Sequence, residues 1–165
     1  GTAPEDAEKY CAFLQRNGLV DYTVTDDTDA TTFGCKKILK TGISRYITEI
    51  DTDILLSKFE MDMDSFVDFC ILSGCDYTEP IAQIGPVTSF NLIKKHKSIE
   101  EVLKVINKKS EKFNYEISRK IFKEFEYELP EEFTKGLCDK EKLITFLNEK
   151  EIKDNVISKF IKIVI

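Results

Sequence analysis

The chain has 165 residues, of which 42% are hydrophobic and 33% charged, so it can fill a core and fits a globular domain better than a disordered acidic segment. Its net charge of −6 argues at first against nucleic acid as a partner, because nucleic acids are usually bound by basic surfaces. Five cysteines without a Cys-x-x-Cys pair and a single histidine argue against a disulfide framework and a zinc cage, and no apolar run approaches the roughly 20 residues of a membrane span.

The N-terminal residues predict a helix. Thr2 is placed as its cap, Pro4 falls near the first turn, and Glu5 completes a capping box with Thr2. Gly18 follows the last apolar position at helical spacing, and glycine readily adopts the left-handed conformation that ends many helices. The predicted helix therefore closes at Gly18.

Three short strands are predicted next. Residues 19–24 alternate enough for a strand whose even-numbered residues share one face. Lys36–Lys40 and Arg45–Ile50 are rich enough in strand-forming residues to pair, and Thr41–Ser44 contains the glycine of a plausible turn between them. The sequence thus predicts a strand followed by a hairpin.

From Asp51 onward the sequence predicts helices, because capping residues recur at the spacing of helix ends. The predicted boundaries are Asp51 or Asp53 to Phe59, Asp62 or Asp64 to Leu72 with Gly74 after it, Pro86 to Lys97, and a capping box at Ser98–Glu101. The remainder, interrupted at Pro130, predicts three more amphipathic helices that end at Ile165. A small αβ portion is therefore followed by a longer helical one.

Five acidic side chains lie where a predicted helix or strand begins or ends: Asp6, Glu8, Asp27, Asp29 and Asp76. Taken singly, the pair Asp6 and Glu8, the pair Asp27 and Asp29, and Asp76 are each explained as well by helix capping or by a solvated loop as by a functional site. Bound divalent ions would invert the local field at such acids. If all of them face metals, the rest of the chain is close to neutral, and the objection to a nucleic-acid partner weakens.

Four ordered segments carry a resemblance to a known family. They are Ala3–Glu8 followed by Cys11, Thr25–Gly34, Phe66–Tyr77, and Ile84–Pro86 followed by Lys95–Glu101. This series resembles the flap endonuclease family of structure-specific 5′ nucleases, and four motifs in order are far more specific than any one of them. The likeness is dense from Ala3 to Glu101.

The resemblance implies an α/β nuclease fold, of which this chain is the second half. We expect a partial parallel sheet flanked by helices, followed by a helix–three-turn–helix and further C-terminal helices. Residues 1–50 are expected to form the second part of the nuclease core with its metal-site acids. Residues 51–105 are expected to hold Asp76 and the helix–three-turn–helix, and residues 106–165 the C-terminal helices, all within one continuous structural unit.

The activity that the resemblance implies is hydrolysis of DNA phosphodiester bonds at 5′ flaps, nicks or ends by a two-metal-ion mechanism, in replication, repair or recombination. It implies two Mg²⁺ ions per site, with Mn²⁺ as a substitute, held by Asp6, Glu8, Asp27, Asp29 and Asp76. The catalytic set is then Glu8, Asp27, Asp29 and Asp76. Asp6 replaces the usual glutamate. Because residues two apart diverge on a regular helix, Glu8 is a better direct ligand than Asp6.

The helix–three-turn–helix of the family grips duplex DNA through phosphates and often holds a potassium ion. The positions that match are Gly85, Pro86, Lys94, Lys95 and Lys97 for DNA, and the backbone carbonyls of Ile81 and Ile84 for K⁺. This chain departs from the family pattern at four positions: Pro80, Gln83, Val87 and Thr88. Taken alone, the three lysines are equally explained as cations at a helix C-terminus.

Partners and place in the cell follow from the same likeness. The N-terminal half of the family's nuclease domain, which supplies further aspartates and a basic helical arch, does not match any part of this sequence, so we expect the 165 residues alone to bind metal weakly and cut DNA poorly. The C-terminus does not resemble a sliding-clamp-binding peptide, and no membrane partner is expected. We expect an intracellular protein, nuclear if cellular or at a cytoplasmic replication site if viral. A non-catalytic DNA-binding or scaffold relative is the alternative.

Overall fold

The computed structural model describes residues 3–42, 46–106, 112–130 and 139–158. The strands are β1 (Thr23–Val24), β2 (Lys37–Lys40) and β3 (Thr48–Asp51). The helices are α1 (Ala7–Arg16), α2 (Asp29–Thr32), α3 (Thr52–Phe59), α4 (Met63–Ser73), α5 (Pro86–His96), α6 (Ile99–Val105), α7 (Tyr115–Lys123) and α8 (Lys140–Glu149), and residues 154–158 are also helical. This order confirms the predicted α/β fold with a helical continuation.

The sheet contains one parallel and one antiparallel pair. β1 runs parallel to β2, with Thr23 opposite Ile38, and β2 runs antiparallel to β3, with Ile38 opposite Ile50. The hairpin predicted between residues 36 and 50 is thereby confirmed in its pairing. Half of its predicted turn, Ile43 and Ser44, lies outside the described residues, as does Arg45 at the start of the predicted second strand.

The first helix begins later than predicted. Asp6 is its N-cap, in an extended conformation, and one carboxylate oxygen accepts a hydrogen bond from the backbone N–H of Lys9 at 2.9 Å. Pro4 and Glu5 precede the helix, so the capping-box prediction was wrong, and Thr2 lies outside the described residues. Asp6 caps as well as a threonine would and adds a negative charge at the positive helix end. Gly18, with φ 72°, follows the helix as predicted.

The strand predicted over residues 19–24 is reduced to Thr23–Val24. Of its two residues, Thr23 is buried and Val24 is 64% exposed. The residues just after α1 are still held by that helix, because the N–H of Leu19 donates to the carbonyl of Leu14 at 3.0 Å. A backbone engaged in ending a helix cannot pair with β2 at the same time.

A buried glutamine fixes α1 against the sheet. Gln15 is 6% exposed, and its amide nitrogen donates to the carbonyls of Asp21 (2.7 Å) and Lys37 (2.9 Å). Its amide oxygen accepts the N–H of Lys36 at 2.6 Å and that of Lys37 at 3.2 Å. A buried amide left without these partners would be costly, so the contacts hold the start of β2 beside the end of α1.

The helix boundaries from α3 to α6 largely follow the predicted caps. Asp51, Asp62 and Ser98 each accept a backbone N–H in the first turn of α3, α4 and α6. Gly74 ends α4 with φ 118°, and Pro86 is the first residue of α5. Caps of this kind stabilise a helix by about 1 kcal/mol each, which is why local sequence was sufficient to locate these ends.

The core gathers around α4, which packs against α2, α5, α6 and α7. Its sequence is apolar on almost every side, as expected of a helix surrounded by neighbours. Residues that are almost fully buried around it include Ala30, Phe33, Ile38, Val67, Ile71, Leu72, Ile93, Ile99, Val102 and Phe122. The short helix α2, which the sequence did not predict, is held in this core by Ala30 and so fixes the position of Asp29.

The chain divides into two compact units, residues 1–128 and residues 129–165. The first contains the sheet and helices α1 to α7. The second contains α8, which Asp139 caps by accepting the N–H of Lys142 at 3.0 Å. Among the described residues, no helix has the length and apolar character needed to cross a bilayer.

Candidate functional site

The five predicted acids are brought to one side of the first unit by three separate parts of the chain. Asp6 caps α1 and Glu8 lies in its first turn. Asp27 follows β1, Asp29 opens α2, and Asp76 follows the end of α4. Because Asp6 is an extended cap rather than a helical residue, the divergence expected of two helical residues two apart does not apply to Asp6 and Glu8.

The electrostatics of Asp29 show that these acids converge. Burial, followed in decreasing order by the negative charges of Asp27, Asp76, Asp6 and Glu8, raises the pKa of its carboxyl to about 6. A neighbouring charge shifts a pKa appreciably only at short range. Asp29 therefore lies within electrostatic range of four other carboxylates, and we name the five together the acid cluster: Asp6, Glu8, Asp27, Asp29 and Asp76.

Thr25 joins two parts of the acid cluster. Its hydroxyl donates to Oε1 of Glu8 at 3.0 Å and accepts the backbone N–H of Asp27 at 3.1 Å. The carboxylate of Asp27 in turn accepts the backbone N–H of Asp29 at 3.0 Å. A threonine between a strand and a pair of aspartates was the available signal for this role, although the sequence analysis did not assign it.

Tyr77 joins the two parts of the chain that carry Asp6 and Asp76. Its hydroxyl donates to Oδ2 of Asp6 at 3.4 Å, and its ring lies 5.1 Å from that of Phe122 and 6.5 Å from that of Phe33. Burial, followed by the charges of Asp6 and Asp29, raises the pKa of the Tyr77 hydroxyl above its usual range. The hydroxyl thus stays protonated and remains a hydrogen-bond donor at neutral pH.

The donor chemistry of the acid cluster fits a hard divalent cation. All of its side chains offer carboxylate oxygens, the ligands that Mg²⁺ prefers while it keeps several waters. In the described part of the chain, no three His, Cys, Asp or Glu side chains are grouped as the ligands of one ion. The carboxylates thus act on one another through their charges, while no three of the described ones are placed as ligands of a single ion.

The predicted DNA-binding residues lie at opposite ends of α5. Gly85 is its N-cap, without a side-chain hydrogen bond, and Pro86 its first residue. Lys94, Lys95 and Lys97 are exposed at the other end, roughly 15 Å along the helix at 1.5 Å per residue. Lys94 forms a salt bridge with the exposed Glu60 at 2.9 Å. The structure thus presents two separate candidate surfaces instead of one.

The turn before α5 keeps an unusual backbone conformation. Gln83 has φ 65°, a left-handed value that glycine adopts at no steric cost and other residues at roughly 1 kcal/mol. The side chains of Ile81 and Ile84 are buried, and the carbonyl of Ile81 accepts the N–H of Ile84 at 3.0 Å. Gln83 thus adopts the left-handed conformation at the position where the resemblance implies a glycine.

A second group of charges lies outside the acid cluster, and we name it the arginine brace: Asp68, Glu100 and Arg119. Arg119 donates through Nε and Nη2 to both carboxylate oxygens of Asp68, each at 2.8 Å, and through Nη1 to Glu100 at 2.7 Å. Asp68 is 4% exposed and also accepts the N–H of Ile99 at 3.0 Å. Sequence analysis missed this brace, although an aspartate inside the apolar run of α4 signals a buried partner.

Comparison with known proteins gives matches to one group of nucleases. Residues 1–76 match the family model described as XPG I-region. The chain is 38% identical over 156 residues to flap endonuclease 1 of Aedes aegypti, a match that covers 88% of this chain and 41% of the relative. It is 36% identical over 175 aligned positions to flap endonuclease 1 of Glycine max, a match that covers 97% of this chain and 45% of the relative. The chain thus spans less than half the length of these curated relatives.

Solved structures share the fold. A flap endonuclease-1 from Methanococcus jannaschii matches with a TM-score of 0.73 and 22% identity over 96% of this chain and 50% of that chain. The catalytic core of Rad2 in complex with a DNA substrate matches with a TM-score of 0.75 and 22% identity over 99% of this chain and 61% of that chain. At this level of identity the two likenesses establish the architecture.

Proposed function

This chain belongs to the flap endonuclease family, and from that premise we propose that it forms part of a structure-specific 5′ nuclease. The proposed reaction is hydrolysis of DNA phosphodiester bonds at 5′ flaps, nicks or ends, in replication, repair or recombination. The observation that carries the proposal is the convergence of four other carboxylates on Asp29, from parts of the chain as far apart as Asp6 and Asp76. A protein has little structural reason to gather like charges, so such a group favours a functional site.

The proposed ligands are Glu8, Asp27, Asp29 and Asp76, with Asp6 in the same site. Two bound Mg²⁺ ions, or Mn²⁺ in their place, would supply positive charge for a developing oxyanion and a water of lowered pKa. The chain's own contribution is orientation. The hydroxyl of Thr25 fixes one oxygen of Glu8, and the N–H of Asp29 fixes one oxygen of Asp27.

The negative field of the acid cluster gives a physical reason for metal dependence. Five carboxylates repel a DNA phosphate as strongly as they repel one another. Divalent cations at the cluster reverse that field locally, so that a phosphodiester can approach. We therefore propose that DNA binding near Asp29 depends on divalent ions, whereas binding at exposed lysines does not.

DNA contacts are proposed at the two ends of α5. Gly85 caps α5 without a side-chain hydrogen bond, so the first-turn backbone N–H groups of Val87 and Thr88 suit a phosphate oxygen, which the positive end of the helix dipole favours. Pro86 has no N–H and sets the backbone of the first turn. Lys94, Lys95 and Lys97 are proposed as a second phosphate contact at the other end. The carbonyls of Ile81 and Ile84 remain the proposed K⁺ ligands.

The test is Mg²⁺-dependent cleavage of a labelled 5′-flap DNA by a chimera in which this chain replaces the matched part of the Aedes aegypti relative. The chain alone is the comparison and is expected to cleave poorly, since it spans 41% of that relative. In the chimera, Asp27→Ala or Asp29→Ala should reduce cleavage about 100-fold or more.

Asp64→Ala is the matched control, because Asp64 is an exposed acid paired with Lys123 at 2.7 Å, away from the acid cluster. It should cleave as the unmodified chimera does. A folded Asp29→Ala chimera with full activity would contradict the nuclease proposal. If neither the unmodified chimera nor any variant cleaves the flap DNA, and the Asp29→Ala chimera still binds it, the chain acts as a non-catalytic DNA-binding or scaffold relative.

A further inference from the structure

Tyr77 bridges two elements that are remote in sequence. Its hydroxyl contacts Asp6, 71 positions earlier in the chain, and Tyr77 itself directly follows Asp76. The ring is half-buried between the rings of Phe33 and Phe122, which restricts where the hydroxyl can point. The hydroxyl is therefore held at the junction between the start of α1 and the loop after α4.

Both carboxylate oxygens of Asp6 are engaged. Oδ1 accepts the backbone N–H of Lys9 as the helix cap, and Oδ2 accepts the hydroxyl of Tyr77. These two bonds fix the direction of the carboxylate while leaving each of its oxygens a further lone pair. The side chain of Asp6 is also short, so it cannot cap α1 and reach far from it.

We propose that Tyr77 is a positioning residue that holds the start of α1 against the loop of Asp76, and that its bond to Asp6 sets the spacing of the acids within the acid cluster. The inference rests on the proposed function, because it assumes that the acid cluster binds divalent ions. Outer partners of this kind set the spacing of the acids that do bind, and their loss typically weakens metal affinity about 10- to 100-fold.

The experiment measures the affinity of the chain for Mn²⁺ from the free-ion electron paramagnetic resonance signal. Tyr77→Phe keeps the ring and removes only the hydroxyl, and it should weaken Mn²⁺ binding about 10-fold. Asp6→Asn keeps a helix-capping oxygen, because asparagine is also a preferred N-cap. In the Asp6→Asn background, Tyr77→Phe should have no further effect, since the bond is already altered.

The matched control is Tyr127→Phe. The hydroxyl of Tyr127 donates to Oε2 of Glu5 at 3.3 Å, so it is also a tyrosine–carboxylate bond near α1, but Glu5 is outside the acid cluster. This variant should bind Mn²⁺ as the unmodified chain does. Urea unfolding of all variants supplies the second readout, and a merely structural role for Tyr77 would lower stability without the Mn²⁺ effect specific to Tyr77→Phe.

Three results have distinct meanings. Unchanged Mn²⁺ affinity in Tyr77→Phe, with Asp29→Ala strongly weakened, overturns the role of Tyr77 and leaves the proposed function standing. Additive effects of Tyr77→Phe and Asp6→Asn also overturn the inference, because independent effects show that Asp6 does not act through Tyr77. Equal Mn²⁺ binding by the unmodified chain and by Asp29→Ala overturns the proposed function and this inference together.

Discussion

The acid cluster and the arginine brace both contain carboxylates, but the charges that surround those carboxylates differ. In the brace, Arg119 lies between Asp68 and Glu100 and donates to both carboxylates. In the acid cluster, the charges that act most on Asp29 are four further carboxylates. Pairing with Arg119 lowers the pKa of Glu100 and favours its charge, although burial still raises the pKa of Asp68. Carboxylates near one another without such a partner leave negative charge that a bound cation can neutralise.

The pKa values express this difference. Hydrogen bonds from Arg119 lower the pKa of Glu100 to about 2, so its charged form is favoured in the folded protein. Burial and neighbouring acids raise the pKa of Asp29 to about 6, so its charged form is disfavoured there. The folded state therefore gains from the charge of Glu100 and loses from the charge of Asp29.

The largest expected effect comes from breaking the arginine brace. Arg119→Met leaves the carboxylate of Asp68, which is 4% exposed, without its cation and should destabilise the chain by about 3–5 kcal/mol in urea unfolding. Lys123→Met removes a cation from the same helix whose partner, Asp64, has a side chain that is 77% exposed, and should cost less than about 1 kcal/mol. Equal costs for the two variants would show that Arg119 is not a structural cation.

The next effect concerns the acid cluster and metal affinity. Thr25→Val removes the hydroxyl that joins Glu8 to Asp27 and should weaken Mn²⁺ binding about 10-fold, because the two carboxylates lose their common orientation. Thr41→Val is the control, since the hydroxyl of Thr41 donates at 3.3 Å to Asp26, an acid outside the cluster. The account does not survive if Thr41→Val weakens Mn²⁺ binding as much as Thr25→Val.

A smaller effect should appear in the stability of the metal-free chain. Asp29→Asn removes the disfavoured charge and should raise the free energy of unfolding at pH 7.5 by about 1 kcal/mol, after allowance for solvent screening. Because the pKa of Asp29 in the folded protein is about 6, above its ordinary value of 3.8, the penalty is fully present above pH 6 and disappears as the pH falls to 3.8. The gain in Asp29→Asn should therefore vanish near pH 4, and a metal-free variant that is less stable at pH 7.5 contradicts the prediction.

The smallest effect is the pH dependence of the arginine brace. Because the pKa of Glu100 is lowered from 4.5 to about 2, its contribution is present above pH 4.5 and lost as the pH falls toward 2. Its side chain is 42% exposed, so we expect this contribution to be no more than about 1 kcal/mol. Unfolding of Glu100→Gln followed between pH 6 and pH 2 should show a weaker loss of stability than the unmodified chain. If the stabilities of Glu100→Gln and of the unmodified chain fall in parallel between pH 6 and pH 2, Glu100 makes no such pH-dependent contribution.

Local signals in the sequence predicted the fold where they were sufficient to define an element. Asp51, Asp62, Gly74 and Ser98 mark helix ends through contacts within one turn, and the structure has those ends. The strand over residues 19–24 could not be predicted in this way. The backbone there is engaged by the end of α1 and by Gln15, a contact that no local pattern contains.

The order of motifs predicts the acids of the candidate site but not the residues that support them. It predicts five carboxylates for one site, and the charges of four of them raise the pKa of the fifth, Asp29. Thr25 and Tyr77 were not assigned, because their roles depend on partners 17 and 71 positions away. Arg119 lies 51 positions from Asp68, so it too could be recognised only once the helices were packed together.

The most direct test of the central claim, that acids from distant parts of the chain form one divalent-cation site, is Mn²⁺-induced broadening of backbone amide signals in a ¹H–¹⁵N correlation spectrum. The account predicts that the amides of residues 6, 8, 27, 29 and 76 broaden together at substoichiometric Mn²⁺, while those of Asp68 and Glu100 stay sharp. Broadening at the other exposed acids, with the amide of Asp29 unaffected, would contradict it.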